Sequence, residues 1–331
     1  MEKFVSRLKI ERLFSGGVIT NYYCSSACKH CLYNSSPSWK KEYMTEEMAD
    51  KVFKTLKNFG VFSVHIGGGE PFLNFEGLKK VIQKANENDV YIEYIETNAS
   101  WVENEDDVKR KLRELKNLGI ETILVSISPF HNEYIPFKKV LRLIQLLDEV
   151  GIGIFPWIES FANEIRRLNI DKTHSLSECK DIFGENYIRY LPQRYYLTLN
   201  GRAIKTFEEY FPTKTADEII KNSSACFELY SKSHFHMDLF GNFIPNPCVG
   251  FRISIDDLGK ELDTSKYFFV SLLYTQGVKG LFEFAKENYG YTPSKRFLNK
   301  CSLCLDIRRF LIVDKNLEAP DLGPREFYLN F

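Results

Sequence analysis

Short β-rich runs alternate with amphipathic helical stretches from residue 18 to about residue 200. The runs are mostly rich in Ile, Val and Tyr and recur about every thirty residues, which is the span of one βαβ unit. They are Val18–Tyr23, Val61–Ile66, Tyr91–Glu96, Thr122–Ser128, Ile152–Ile158 and Tyr195–Leu199. Six strands joined by crossover helices predict an α/β fold, a parallel sheet curled into a partial (β/α)6 barrel.

The alternation stops near Gly201. Residues 201–331 instead contain four of the eight cysteines, a turn-rich stretch at Gly241–Pro247 and a helical stretch near Gly280–Asn288. We therefore predict two domains, the barrel over residues 1–200 and a smaller α+β domain over residues 201–331.

Charge and hydropathy narrow the class of partners. Lys plus Arg and Asp plus Glu number 44 each, and this balance gives no long-range attraction for nucleic acid or an anionic membrane. Met1–Phe14 lacks the apolar core of a signal peptide, and the longest uncharged apolar stretches are too short to span a bilayer. We expect a cytoplasmic protein, in which the cysteines are metal ligands or reactive groups rather than disulfides.

Three cysteines follow the first predicted strand with the spacing Cys24-x3-Cys28-x2-Cys31. The carboxyl ends of barrel strands are where such folds build active sites. Three thiolates on one loop can hold three corners of a [4Fe–4S] cube and leave the fourth iron open to a small molecule. Zinc is the competing interpretation, with His30 as a fourth ligand, and the spacing alone leaves it open.

A glycine-rich segment, Gly67–Pro71, follows the second predicted strand. Glycines let the backbone approach a ligand closely, and the Glu70 carboxylate can accept hydrogen bonds from an ammonium group. Taken alone, the segment is better explained as an ordinary glycine turn before a helix. Together with the cysteine spacing, it resembles the radical S-adenosylmethionine (SAM) superfamily. That resemblance implies a SAM-binding [4Fe–4S] cluster on the three cysteines and contact of Gly68, Gly69 and Glu70 with the methionine amino group of SAM.

The same resemblance implies further contacts with SAM. His30 stands where the family usually has an aromatic residue near the adenine. The other expected contacts lie after later strands and are Asn98, Ser126, Ser128 and Arg202. His131 is a candidate catalytic or substrate-binding residue, although a lone histidine is more often structural. A solvated loop is the competing interpretation for the segments after the later strands.

Four further cysteines, Cys226, Cys248, Cys301 and Cys304, suffice for a tetrahedral or cubane site. Structural zinc is the competing interpretation from spacing. The segment from His236 to Cys248 resembles the hairpin of the SPASM and twitch auxiliary-cluster domains, which implies a second [4Fe–4S] cluster of the shorter, twitch type. Cys226 is also a candidate hydrogen donor to a substrate radical. So is Cys179, for which a buried structural thiol is the default.

The resemblance implies reductive cleavage of SAM to a 5′-deoxyadenosyl radical that abstracts a substrate hydrogen, with flavodoxin or ferredoxin as electron donor. We favour modification of a ribosomally made peptide, by epimerisation or crosslinking. The alternative is a small molecule in cofactor or natural-product biosynthesis. A non-enzymatic iron–sulfur or zinc scaffold is disfavoured because a scaffold needs no SAM site.

Overall fold

A computed structural model describes residues 8–231 and 233–331, so the first seven residues of Met1–Phe14 lie outside the described part. Eight strands occur in these residues: β1 (Gly16–Ile19), β2 (Ser63–Gly67), β3 (Tyr91–Thr97), β4 (Thr122–Ser126), β5 (Gly153–Trp157), β6 (Phe235–Asp238), β7 (Asn242–Pro245) and β8 (Ile253–Ser254). They form one sheet in the order β5-β4-β3-β2-β1-β6-β7-β8. The strands β1 to β6 run parallel to one another. Beyond β6, the strands β7 and β8 add an antiparallel edge.

The predicted fold class is confirmed, because six parallel strands with crossover helices build a mixed α/β sheet. The predicted position of the sixth strand is nevertheless wrong. Residues 195–199 are not a strand but fold back onto the preceding helix, with hydrogen bonds from Tyr195 N to Leu191 O and from Leu197 N to Pro192 O. The sixth parallel strand is β6, which pairs with β1 from beyond residue 201. The division into domains at residue 200 stays a prediction.

Thirteen α-helices connect or flank the strands in the described residues. They are α1 (Glu46–Asn58), α2 (Phe75–Glu87), α3 (Glu105–Asn117), α4 (Pro129–Asn132), α5 (Phe137–Val150), α6 (Ser160–Ile165), α7 (Leu176–Phe183), α8 (Tyr187–Arg194), α9 (Ala203–Phe207), α10 (Ala216–Lys221), α11 (Phe268–Tyr289), α12 (Lys300–Arg309) and α13 (Arg325–Leu329). None of them is long and apolar enough to cross a membrane.

The crossover helices begin and end where local chemistry dictates. The side chains of Thr45, Asn74 and Asn104 each accept a hydrogen bond from a backbone N–H in the first turn of α1, α2 and α3. Gly151 ends α5 in the left-handed conformation that glycine adopts without strain. These helices bury one apolar face each, as the periodicity predicts.

The two faces of the sheet differ in what they contact. In β2, Val64 and Ile66 are fully buried, whereas His65 between them faces a cavity. In β4, Ile123 and Val125 are buried in the same way, and Leu124 faces the cavity. Successive side chains of a strand point to opposite faces. One face of the sheet is thus the apolar core, and the other is the wall of a cavity.

The turn between β6 and β7 is built around a buried carboxylate. Asp238 Oδ1 accepts hydrogen bonds from Phe240 N and Asn242 N, and Gly241 occupies the left-handed region at φ 74°. The Asp-x-x-Gly-Asn segment therefore forms a tight antiparallel hairpin. Tyr22 OH donates to the other oxygen, Asp238 Oδ2, at 3.0 Å and ties this hairpin to the loop after β1.

Candidate active site

A cavity of about 400 Å³ lies against the sheet face that carries His65 and Leu124. It brings together most of the residues predicted from the sequence to form the site. Those that line it are Cys24, Cys28, Cys31, His30, Gly68, Gly69, Asn98, Ser126 and His131. We call it the main cavity.

The loop from Cys24 to Cys31 is held by backbone hydrogen bonds. Cys24 N donates to Ser36 O, and Cys31 N donates to Cys28 O at 3.0 Å, which closes a tight turn around the second and third cysteines. The amide of Asn98 donates weakly to Cys24 Sγ at 3.5 Å from the end of β3. Two neighbouring strand ends therefore position the thiols.

Arg202 differs from its predicted place. Its guanidinium donates to Cys28 O at 2.8 Å and to Ser35 O at 3.0 Å, and its backbone N–H donates to Cys31 O. With those donors directed at the loop, Arg202 is not among the described residues that line the main cavity. The predicted contact of Arg202 with SAM is not supported, because its side chain braces the cysteine loop and its flank instead.

The glycine-rich turn packs against that same loop. A Cβ at Gly69 would lie 2.0 Å from Tyr23 O, and one at Gly68 would lie 2.5 Å from Asn21 O. The close approach that glycine permits here is therefore between two backbone segments, and both glycines also line the main cavity.

The Glu70 carboxylate also differs from expectation. It is fully buried and accepts hydrogen bonds from Phe72 N, Thr97 Oγ1 and Asn98 N at 3.2, 2.9 and 2.7 Å. Burial raises its pKa to about 7. Since Glu70 is absent from the described lining of the main cavity, it ties the ends of β2 and β3 together rather than facing a ligand.

Ser128 and His131 act as a pair. Ser128 Oγ accepts from His131 N at the start of α4 and lies 2.7 Å from His131 Nδ1. Ser128 is 1% exposed and is not among the described residues that line the main cavity, so its predicted contact with SAM is not supported. His131 does reach the main cavity, where burial lowers its pKa to about 4.

His30 lies in an aromatic cluster on the cavity wall. Its ring stacks on Phe130 at 4.5 Å between centroids and contacts His131 and Tyr195 edge-on, each at 4.9 Å. Burial lowers its pKa well below the usual range, so the ring is a neutral, flat surface. The aromatic run at Tyr195, which resembles a strand in the sequence, supplies one side of this cluster.

Several cavity residues were missed by the sequence reasoning. They are Tyr94 and Glu96 on β3, Trp157 at the end of β5, and the histidines His65, His234 and His236. Burial raises the pKa of Glu96 to about 7. Alternation within β2, β4 and β5 could have identified most inward positions. It fails in β3, where a register irregularity between Val64 and Ile66 places Ile92 and Ile95 on the same face.

The second set of cysteines converges as well. Cys226, Cys248, Cys301 and Cys304 line one small cavity of about 30 Å³. Cys226 precedes a short 3₁₀ turn, Cys248 follows β7, and the other two lie one turn apart on α12. Burial and the neighbouring thiols raise the pKa of Cys226 to about 12. None of the four lines the described wall of the main cavity.

Arg308 is a buried cation beside these thiols. It is 2% exposed, lines the small cavity and donates to Val249 O at 2.9 Å. Its guanidinium lies 4.0 Å from the centre of the Phe251 ring. A fully buried cation is costly unless a negative group pairs with it. Four thiolates, or an anionic cluster held by them, would provide that group.

Cys179 lies outside both cysteine clusters. It is 1% exposed on α7 within the apolar core, and burial raises its pKa to about 12. It is not among the described residues that line the main cavity. The prediction of a hydrogen-donating Cys179 is therefore not supported, and the default of a buried structural thiol describes it.

The thiol spacing tests which group each set can hold. Among the described residues, only His65, His234 and His236 form a group of three or more metal-ligating side chains whose donor atoms all lie within 4.8 Å of one another. Zinc at 2.3 Å from each sulfur would bring neighbouring sulfurs to about 3.8 Å. A four-iron cube spreads its thiolates more widely. Neither described cysteine set brings three donor sulfurs within 4.8 Å of one another, so neither has the spacing of a single tetrahedral zinc ion.

Comparisons with known proteins identify the family to which part of the chain is similar. Residues 18–179 match the family model described as the radical SAM superfamily. YydG of Bacillus subtilis, whose name assigns it to peptide biosynthesis, is 21% identical over 122 residues, 37% of this chain and 38% of that protein. The GTP 3′,8-cyclase of Aquifex aeolicus is 30% identical over 144 residues, 40% of this chain and 42% of the cyclase. The chain thus spans about two fifths of the length of these curated relatives.

The solved structures that resemble this chain are less similar to it in sequence than these relatives. SuiB of Streptococcus suis, bound to precursor peptide SuiA, has a TM-score of 0.34 and 13% identity, with 97% of this chain and 76% of SuiB covered. The anSMEcpe structure with bound AdoMet has a TM-score of 0.44 and 14% identity, with 90% and 97% covered. The family match includes the end of β1, the strands β2 to β5 and the three-cysteine loop that carries the candidate cluster site. By that match, residues 18–179 form a radical SAM domain.

Proposed function

We propose that this radical SAM enzyme modifies a ribosomally made peptide, with the main cavity holding SAM and the reacting residue. When bound, the cluster on Cys24, Cys28 and Cys31 supplies the electron that cleaves SAM to methionine and a 5′-deoxyadenosyl radical, which abstracts a substrate hydrogen. The chain itself provides positioning and exclusion of water. Gly68, Gly69, Asn98 and Ser126 remain the proposed contacts to SAM, beside the flat ring of His30.

The observation that supports a peptide is that the described wall of the main cavity lacks the permanently charged cations that bind phosphate groups. Among the described residues that line it, none is Lys or Arg. A nucleoside triphosphate carries several negative charges, which proteins recognise with Arg, Lys or a metal ion. Trp157, Tyr195 and the strongly exposed Tyr196 line the cavity instead, and aromatic surfaces of this kind suit amino-acid side chains.

The relatives support both candidate substrate classes. YydG is named for peptide biosynthesis, whereas the GTP 3′,8-cyclases act by their name on a nucleotide. The second class requires phosphate recognition, and the described lining of the main cavity offers neither Lys nor Arg for it. A peptide is therefore the favoured substrate class, and a small molecule is the alternative.

The position of the cysteines favours crosslinking over epimerisation. Epimerisation through a thiol requires an S–H group beside the substrate radical. All eight cysteines lie in the described residues, and only the three of the cluster loop line the main cavity. A substrate radical formed there is better resolved by losing an electron, which gives an oxidised or crosslinked product.

We further propose that Cys226, Cys248, Cys301 and Cys304 hold a second [4Fe–4S] cluster of the twitch type. Their convergence on one cavity and the buried Arg308 beside them support this assignment. Such a cluster is a suitable acceptor for the electron of the substrate radical. Flavodoxin or ferredoxin is the proposed electron donor to the enzyme.

The test is anaerobic turnover with SAM and a strong reductant. Short peptides encoded beside the gene are supplied in one arm and GTP in the other, and 5′-deoxyadenosine is measured together with the product mass. We expect a peptide to accelerate 5′-deoxyadenosine release and to lose two hydrogens, without uptake of deuterium from deuterated water. Acceleration by GTP with no change in any peptide would refute the peptide proposal. Uptake of one deuterium would instead indicate epimerisation.

A further inference from the structure

Three of the six histidines of the chain meet on the wall of the main cavity, outside both cysteine sets. One donor atom from each of His65, His234 and His236 lies within 4.8 Å of the other two. The distance between His65 Nε2 and His236 Nε2 is 3.1 Å. Around a tetrahedral zinc ion with Zn–N of about 2.0–2.1 Å, neighbouring nitrogens are about 3.3 Å apart.

The sheet is built to bring these rings together. Strand β1 lies between β2 and β6, and Gly17 pairs with His65 on one side and with His236 on the other. A Cβ at Gly17 would lie 2.2 Å from His65 Nε2. Only glycine at this position therefore leaves room for two imidazoles from strands that are not neighbours to meet above the strand between them.

The orientation of the rings is fixed by their surroundings. His65 stacks between Tyr94 and His234, at interplanar angles of 9° and 8°. His236 stands edge-on to both histidines, at 80° and 85°. Its Nδ1 lies 2.7 Å from Tyr33 OH. A ligating histidine typically has its second ring nitrogen held in this way, which here leaves Nε2 free to bind.

We propose that His65, His234 and His236 bind one divalent transition-metal ion of the zinc class, with a coordination position open to the main cavity. Three imidazoles and one open position make up a ligand set that binds substrate groups in zinc sites. The ion would hold an oxygen, nitrogen or sulfur donor of the substrate. The Glu96 carboxylate has Oε1 3.9 Å from His65 Nε2. The metal site does not depend on whether the substrate is a peptide.

The alternative is that the imidazoles only hydrogen-bond to one another. The contact of 3.1 Å fits an N–H···N bond between His65 and His236. That bond does not require His234, which is only partly buried and comes from the entry to β6. The two interpretations differ in whether the protein takes up metal.

The experiment measures zinc and iron in the anaerobically purified holoenzyme after incubation with a small excess of zinc chloride and desalting. We expect about one zinc per chain with an X-ray absorption shell of nitrogen at about 2.0 Å, and no sulfur shell at 2.3 Å. His234→Gln and His236→Gln should each lose the zinc and keep the iron of the wild type. His174→Gln is the matched control, because five of the six histidines line the main cavity and His174 does not.

Thermal unfolding gives a second, independent readout of zinc binding. Zinc should raise the melting temperature of the wild type and of His174→Gln, but not that of His234→Gln. A wild type that retains no zinc and shows no shift would overturn the proposal. So would a sulfur shell, which would place the ion at cysteines, or full zinc retention in both histidine variants. Failure of the peptide test would leave all of these results unchanged.

Discussion

At the scale of single residues, side chains predicted to contact a ligand turn out to brace the loops that form the site. Arg202 donates to Cys28 O in the cysteine loop and to Ser35 O shortly after it. Ser128 caps α4 and orients His131. Glu70 joins two strand ends. A charged or polar residue near a motif can thus be essential to the site without touching the ligand, because loops with buried backbone groups need partners for them.

We expect Arg202→Gln to lower the free energy of unfolding by about 1.5–3 kcal/mol, because charged hydrogen bonds to the loop are lost. The iron of the first cluster should become labile to a chelator in the same variant. Arg189→Gln, at an exposed position on α8, is the matched control. If Arg202→Gln instead weakens SAM binding alone, with stability and iron unchanged, the guanidinium contacts SAM and the bracing role is wrong.

At the scale of elements, the site depends on how neighbouring strand ends are joined. The irregular register between β2 and β3 turns Tyr94 and Glu96 toward the main cavity. Beyond it, the Glu70 carboxylate fixes the end of β2 to Thr97 and Asn98 at the end of β3. The geometry of the glycine-rich turn is thereby coupled to that of the Asn98 segment.

Glu70→Ala tests this coupling. It leaves buried donors on Phe72, Thr97 and Asn98 without an acceptor, so we expect a loss of about 3 kcal/mol or more in the free energy of unfolding. SAM affinity and cluster iron should fall together. Glu76→Ala, in the exposed first turn of α2, should change neither. Loss of SAM binding in a fully stable Glu70→Ala protein would show that the carboxylate contacts the ligand.

At the scale of the whole molecule, the predicted C-terminal part completes the sheet of the barrel. Strand β6 pairs with β1 from beyond residue 201. On either side of the cysteine loop, Tyr22 and Tyr33 contact Asp238 and His236 of that strand. The two cysteine sets therefore belong to parts of the chain that share one sheet.

We expect a chain ending at residue 200 to be insoluble, because it exposes the unpaired edge of β1. Its solubility and circular dichroism are the measurements. Full-length Cys301→Ser/Cys304→Ser is the control, since it removes ligands of the second cluster and retains β6. A soluble, folded protein of residues 1–200 that still binds iron would contradict the shared-sheet interpretation.

Iron analysis tests the two-cluster assignment. The anaerobic wild type should contain about eight irons per chain. Replacing Cys24, Cys28 and Cys31 by Ala should leave about four, and replacing the other set by Ser should leave the four of the first cluster. Cys179→Ala, whose side chain lies in the core, should keep all of them. If the first variant holds zinc without iron and loses that zinc when Cys301 and Cys304 are also replaced by Ser, the second set is a structural zinc site.

Local periodicity and side chains close together in the chain are enough to predict the α/β class and the approximate places of β1 to β5 and of the amphipathic helices between them. The order of the strands also predicts that the three cysteines and the glycine-rich turn follow neighbouring strands. Only the folded chain shows that β6 comes from beyond residue 201 and that the aromatic run at Tyr195 forms a cavity wall. Pairing between strands far apart in sequence leaves no local signal, so only the folded sheet places His65 and His236 on either side of Gly17.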